Sequence, residues 1–139
     1  MAETGRIVAV DYGRARIGVA VCDALGISTK PLGFIPRKSD EQAARTLAAL
    51  LRQERAVHVV IGLPLHAHGD AGENVAWVRA FTACLARYCS LPITEVDERH
   101  SSQEAEAALR AEGRWPAKPG EVDAKAAAIL LRRYLDGER

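Results

Sequence analysis

Acidic residues at three sites in this sequence could do chemistry together. Asp11 ends an apolar run, Ile7-Val8-Ala9-Val10, and is followed by Tyr12-Gly13. Asp97 and Glu98 follow a second run, Ile93-Thr94-Glu95-Val96, and precede Arg99. Asp123 lies in the first turn of a helical pattern, on a stripe with Ala126, Ala127 and Leu130. A charge in an otherwise buried strand costs several kcal/mol unless something pairs with it, so such a residue is usually kept for chemistry or for a metal. Clustered carboxylates raise one another's pKa unless a cation neutralises them. Hard divalent ions with oxygen ligands suit such a cluster, and a pair of them can clamp both sides of a phosphodiester displacement. Each position also has a plain structural reading. Asp11 could end its strand and cap a turn, Glu98 could pair with Arg99 in a loop, and Asp123 could face its helix dipole.

The elements that must position these residues follow from periodicity. Strands are expected at 6–12 and 15–22, joined by a short turn at Gly13-Arg14. Period-two alternation puts Asp11 on one face with Ala9 and Ile7. Gly13 permits the tight turn, and Gly18 leaves room for something to approach the second strand. A third strand covers Ser28 to Ile35, where Pro31 makes it an edge or an interrupted strand. Ser39 and Gln42 have capping-box spacing at the head of a helix carrying Ala43, Leu47, Leu50 and Leu51 up to about Glu54. Val57 to Ile61, ending at Gly62, reads as a buried strand. Val75, Val78, Phe81, Leu85 and Tyr88 mark the next helix, and Pro92 to Val96 the next strand. Ser101 and Glu104 form a second capping box for a helix stopping at Gly113, and a last helix follows Pro119-Gly120 to Leu135.

The first three strands connect too tightly for parallel pairing and form an antiparallel meander. The later strands can be parallel, with right-handed crossovers. The result is an α/β fold, a mixed five-stranded sheet flanked by helices, in the element order of a ribonuclease-H-like domain. Acids at strand ends then lie where open α/β sheets place their sites.

With 139 residues the chain suits a single domain, 1–139, that buries a core without staples. A net charge of +1 decides nothing about partners, but five basic residues between Arg14 and Lys38 face one acid, Asp23, an excess that could attract a polyanion. No signal peptide is visible and no apolar stretch is long enough to span a membrane. Cys22, Cys84 and Cys89 lack metal-ligand spacing and read as reduced, mostly buried thiols, so a cytoplasmic location is expected.

The landmarks Asp11-Tyr12-Gly13, Ile17-Gly18-Val19-Ala20, Gly62-Leu63-Pro64-Leu65, Asp97-Glu98-Arg99 and Val122-Asp123, in this order and spacing, resemble the YqgF family, also called RuvX, of Holliday junction resolvases and pre-16S rRNA processing nucleases. The resemblance covers nearly the whole chain. It implies a ribonuclease-H-like fold and a nuclease dependent on Mg²⁺ or Mn²⁺. Asp11, Glu98 and Asp123 would be its catalytic residues and metal ligands. Asp97 stays open as the alternative to Glu98, because adjacent residues at a strand end face opposite ways. Arg14, Arg16, Arg99 and Lys125 would hold flanking phosphates. The resemblance further implies hydrolysis of phosphodiester bonds in processing the 5′ end of pre-16S rRNA during ribosome biogenesis. RNA is favoured over branched DNA as partner, since a junction resolvase needs a two-fold dimer and no helix face here is left over for one. The protein would be a monomer or a homodimer, with no membrane partner.

Two segments depart from the family pattern, His66-Ala67-His68-Gly69-Asp70 after the Gly62 landmark and His100-Ser101-Ser102 after Arg99. His66 and His68 could chelate a metal or contact phosphate. His100 could transfer a proton or merely flank a helix, and His58 reads as structural. Trp77 and Trp115 are the available stacking platforms for a base. Two other readings compete with an RNA nuclease besides junction resolution. One is a phosphate loop of the kind found in actin-like ATPases and sugar kinases, which needs a second such domain. The other is a non-catalytic nucleic-acid-binding factor associated with the ribosome or transcription.

Overall fold

Runs of β-branched residues build the centre of the molecule, and the strands they form order everything that carries a charge. The computed structural model describes residues 5–65 and 71–137, so His66 and His68 lie outside the described residues. In chain order the elements are β1 (Arg6–Asp11), β2 (Arg16–Cys22), β3 (Thr29–Pro36), α1 (Asp40–Gln53), β4 (Ala56–Leu63), α2 (Ala71–Ala86), β5 (Ile93–Asp97), α3 (Ser101–Ala111) and α4 (Glu121–Leu135).

The strands form one five-stranded sheet in the order β3-β2-β1-β4-β5. β1, β2 and β3 are an antiparallel meander, while β4 and β5 run parallel to β1, each reached through a helical crossover. This is the mixed ribonuclease-H-like sheet that the element order predicts. β3 is one of the two edge strands, and its pairing with β2 is irregular beside Pro31, which has no N–H to donate to the ladder.

Alternation divides the core between the two faces. Val8, Val10, Val19, Val21, Val59 and Ile61 point to one side, where they pack with Leu47 and Leu51 of α1 and with Phe81 and Leu85 of α2. Ile7, Ala9, Cys22, Val60 and Val96 point to the other, against Leu130, Leu131 and Tyr134 of α4. On that second face Ala20 meets Ala127 and Ala128. Small side chains on both partners bring α4 close to the strands, which places its first turn beside the end of β1. α3 packs on α4 outside this layer.

The local signals hold in part. Ser39 caps α1 and its Oγ accepts from the Gln42 N–H at 3.1 Å, as its spacing predicts. The second capping box does not form. His100, not Ser101, occupies the N-cap position of α3, with φ 59°. Ser101 is instead buried inside the helix and turns its hydroxyl back to the Glu98 carbonyl at 2.9 Å. A competing bond to the strand end outbids the cap. All three cysteines are free thiols, but only Cys22 is fully buried, Cys84 and Cys89 being half-buried. His58 is buried, bonded to the Thr94 hydroxyl at 2.7 Å and edge-on to Tyr134, consistent with a structural role.

Candidate active site

Asp11 is the last residue of β1 and pairs across the ladder with Gly18 of β2. It keeps the face set by Ile7 and Ala9, so its carboxyl looks towards α4. Glycine is needed at two neighbours. A Cβ on Gly18 would stand 2.0 Å from the carbonyl oxygen of Asp123 and 2.2 Å from its carbonyl carbon. The first turn of α4 therefore rests directly on the backbone of β2. A Cβ on Gly62 would stand 2.8 Å from Glu98 Oε2 and 2.9 Å from Glu98 Cβ. Glu98 thus crosses over the end of β4 to reach Asp11 through space that only a glycine leaves.

The turn after β5 holds Glu98 in that position. Its N–H donates to the Leu63 carbonyl at 3.1 Å, and its own carbonyl accepts from the Ser101 N–H at 3.0 Å. Asp97 turns away. Its Oδ1 accepts from the Arg99 N–H at 3.0 Å, and its Oδ2 lies 3.4 Å from the Arg99 guanidinium. Of the two adjacent acids left open by the sequence, Glu98 is the one that meets Asp11.

Asp11 and Glu98 are hydrogen-bonded through their carboxyls. Burial pushes the Asp11 carboxyl well above its ordinary value near 3.8, and the nearby charges of Glu98 and Asp123 push it the same way. Burial raises Glu98 too, against an opposing pull from its bond to Asp11 and with a further push from Asp97. Two carboxyls this close do not both ionise readily without a compensating cation, so the pair shares a proton.

The third acid, Asp123, is near enough for its charge to act on Asp11, but its Oδ2 accepts from Arg16 Nε at 3.2 Å. Among the described residues no group of three His, Cys, Asp or Glu is gathered tightly enough to hold a metal ion as arranged. The pair Asp11–Glu98 is assembled, and Asp123 stands alongside it in an ion pair.

The basic residues expected at phosphates are distributed around this end of the sheet. Arg14, in the turn after Asp11, donates to Tyr12 Oη at 3.0 Å and lies 4.4 Å over the Trp77 ring. Arg16 is on Asp123 and Arg99 on Asp97. Lys125 lies elsewhere. Two residues beyond Asp123, it points from another face of α4 and reaches Glu112 at 2.9 Å. His100 is exposed, with Nδ1 3.1 Å from Gln103 Oε1. Trp115 is partly exposed beneath the Arg110 guanidinium.

One group beside the site had no signature in the sequence. Tyr12 Oη donates to Asp40 Oδ1 at 2.7 Å, and Arg37 Nε donates to the same oxygen at 2.7 Å. Arg37 also donates to the Arg14 carbonyl at 3.2 Å, so this network braces the turn that follows Asp11. Asp40 looks like a first-turn helix acid in the sequence, and nothing local links it to Tyr12, 28 residues earlier.

Comparison with known proteins agrees with this architecture. A relative from Synechococcus elongatus named "Putative pre-16S rRNA nuclease" is 40% identical over 131 residues, covering 94% of this chain and 88% of its own length. A relative of the same name from an Anaeromyxobacter species is 40% identical over 134 residues, covering 95% of this chain and 97% of its own length. Among solved structures, T. thermophilus RuvC in complex with a Holliday junction substrate has the same fold, with a TM-score of 0.55 at 16% identity over 94% of this chain and 93% of that one. The family model RuvX, described as Holliday junction resolvase, matches residues 5–137, and the chain belongs to that family.

Proposed function

We propose that the chain is a divalent-metal-dependent nuclease that hydrolyses phosphodiester bonds in the 5′ region of pre-16S rRNA. The observation that carries this reading is the meeting of Asp11 and Glu98 beneath the first turn of α4, in space kept open by Gly18 and Gly62. The names of the relatives, matched over most of both chains, support rRNA over a DNA junction as the substrate.

The donor set fits a hard cation. Its atoms are carboxylate oxygens, and carboxylates gathered this closely repel one another unless a cation lies among them. Asp11, Glu98 and Asp123 would hold Mg²⁺ or Mn²⁺. When bound, such an ion supplies Lewis acidity that makes water a better nucleophile and stabilises the departing oxygen. The rest falls to the chain itself. The proton that the pair shares must leave for both carboxylates to act as ligands. Arg14, in the turn after Asp11, and Arg99, next in the chain to Glu98, bind and orient the phosphates flanking the scissile bond. Trp77, half-buried, backs Arg14 and limits its rotation.

Gly62→Ala tests the positioning. The added methyl meets the Glu98 side chain and also Leu130 Cδ2, at 3.1 Å, so the cost in stability is limited to about 1–3 kcal/mol. Cleavage should fall much further, because Glu98 is displaced from Asp11. Thermal unfolding and initial rates on the same preparation check this. Unchanged cleavage would show that Glu98 does not have to stand at Asp11.

The substrate is tested by offering labelled precursor rRNA spanning the 5′ end of 16S, unstructured RNA and a four-way DNA junction, each with Mg²⁺, Mn²⁺ or EDTA. The expected result is metal-dependent cutting of the precursor in preference to the others. Preferred symmetric cutting of the junction would overturn the substrate, and no cutting of any of them would overturn the nuclease.

A further inference from the structure

We infer that Arg16 competes with a divalent cation for Asp123, and that a substrate phosphate draws Arg16 away, so that cation and nucleic acid bind with positive coupling. This rests on the metal-dependent reading above and adds a mode of regulation to the same site.

The geometry singles out Arg16. It opens β2 two residues before Gly18, so both face the side of the sheet on which Asp11 and α4 lie. Because the Asp123 peptide rests on Gly18, the backbone of that residue is fixed, and the freedom left to it is in its side chain. The side chain points to Arg16 rather than joining Asp11 and Glu98. A guanidinium therefore holds the third carboxylate apart from the other two.

The ion pair is built to exchange. A single Nε–Oδ2 contact at 3.2 Å joins two side chains that are 44% and 28% exposed, and exposed pairs of this kind are weak. A phosphate offers the guanidinium a two-oxygen partner of higher charge, which is the stronger geometry. Arg16 can therefore move from carboxylate to phosphate at small cost, leaving Asp123 to turn towards Asp11 and Glu98. Thermodynamic reciprocity then requires that the cation strengthen phosphate binding as much as phosphate strengthens the cation.

The test is Mn²⁺ binding to the full chain, read from the electron paramagnetic resonance of free Mn²⁺, with and without a short 2′-O-methyl RNA that resists cleavage. Arg16→Met should bind Mn²⁺ about three- to tenfold tighter than wild type without RNA. The RNA should tighten Mn²⁺ binding in wild type and leave Arg16→Met unchanged. Arg16→Lys, which keeps a charge at this position, should stay near wild type. Asp123→Asn should erase the difference between Arg16 and Met at that position. Arg99→Met removes a neighbouring cation that is not on Asp123 and should have a smaller effect.

Unchanged or weaker Mn²⁺ binding by Arg16→Met would overturn the competition while leaving the metal site standing. An equal gain in Arg99→Met would reduce the effect to the general field and overturn it as well. No Mn²⁺ binding by any variant would overturn the metal-dependent reading together with it.

Discussion

Asp11→Asn is expected to lower the cleavage rate by about a thousandfold or more while leaving the fold intact. The amide is nearly isosteric with the carboxyl, and it can donate to Glu98 as the shared proton does now. What it cannot supply is the second negative charge that a divalent ion requires. The stability effect has a sign that depends on pH. The Asp11 carboxyl is raised in the folded protein, chiefly by burial, above the value near 3.8 that it has when exposed. Its protonated form is therefore favoured by folding. That contribution is fully present below the unfolded value and is lost as pH climbs through the folded one. In EDTA, the melting temperature of Asp11→Asn relative to wild type should rise as pH climbs from the ordinary carboxyl range towards neutrality. Comparing the two proteins removes the opposite trend of acids such as Asp23 and Glu121, which are held below their ordinary values by local hydrogen bonds. Adding Mn²⁺ should raise the melting temperature of wild type and leave the variant unmoved. Full activity in Asp11→Asn, or a variant that melts lower than wild type in EDTA near neutrality, would sink this reading of Asp11.

Gly18→Ala should be the most damaging small substitution in the chain. The new methyl would stand 2.0 Å from one backbone atom of Asp123 and 2.8 Å from the Ala124 nitrogen. Backbone cannot rotate aside as a side chain can, so α4 must lift from β2. That helix packs Ala127, Leu130, Leu131 and Tyr134 on the sheet, and lifting its first turn loosens them all. A cost of about 3 kcal/mol or more is expected. In a chain of this size that lowers the melting temperature by about 10 °C or more. Cleavage should be lost even well below that temperature, because Asp123 moves away from Asp11. A melting temperature within a few degrees of wild type, together with retained activity, would contradict the close approach of α4.

The two glycines differ in a useful way. Gly62 meets a side chain, and Gly18 meets backbone. Alanine at the first should separate activity from stability, while alanine at the second should take both. The same contrast explains how legible the site is in the sequence. Asp11 declares itself because an acid at the end of a β-branched run needs a reason. Gly18 declares a close approach but not what approaches. The element order and the meander followed by parallel strands are visible because periodicity and connection lengths leave few other ways to pair.

What stays hidden depends on contacts between distant residues. Asp97 and Glu98 are indistinguishable by alternation at a strand end. The choice is made by Arg99, whose N–H takes Asp97, and by Ser101, whose hydroxyl takes the Glu98 carbonyl. The spacing of Ser101 and Glu104 looks like a capping box, yet Ser101 serves the turn that presents Glu98 and Glu104 pairs with Arg133. Arg16 and Asp123 are 107 residues apart, so no local pattern could announce their ion pair. Lys125 is near Asp123 in sequence and turned from it in space, since residues two apart on a helix face different ways. The Tyr12–Asp40–Arg37 group belongs to the same class, with the connection after β1, the connection after β3 and α1 contributing one residue each to brace a single turn.

Whether Asp11, Glu98 and Asp123 hold a cation is read most directly from anomalous diffraction at the manganese edge, using crystals of the protein grown with Mn²⁺. A peak is expected between the Asp11 and Glu98 carboxylates, with Asp123 turned from Arg16 towards it. A peak at another group of acids, or ordered Asp11 and Glu98 still sharing a hydrogen bond at saturating Mn²⁺, would contradict it.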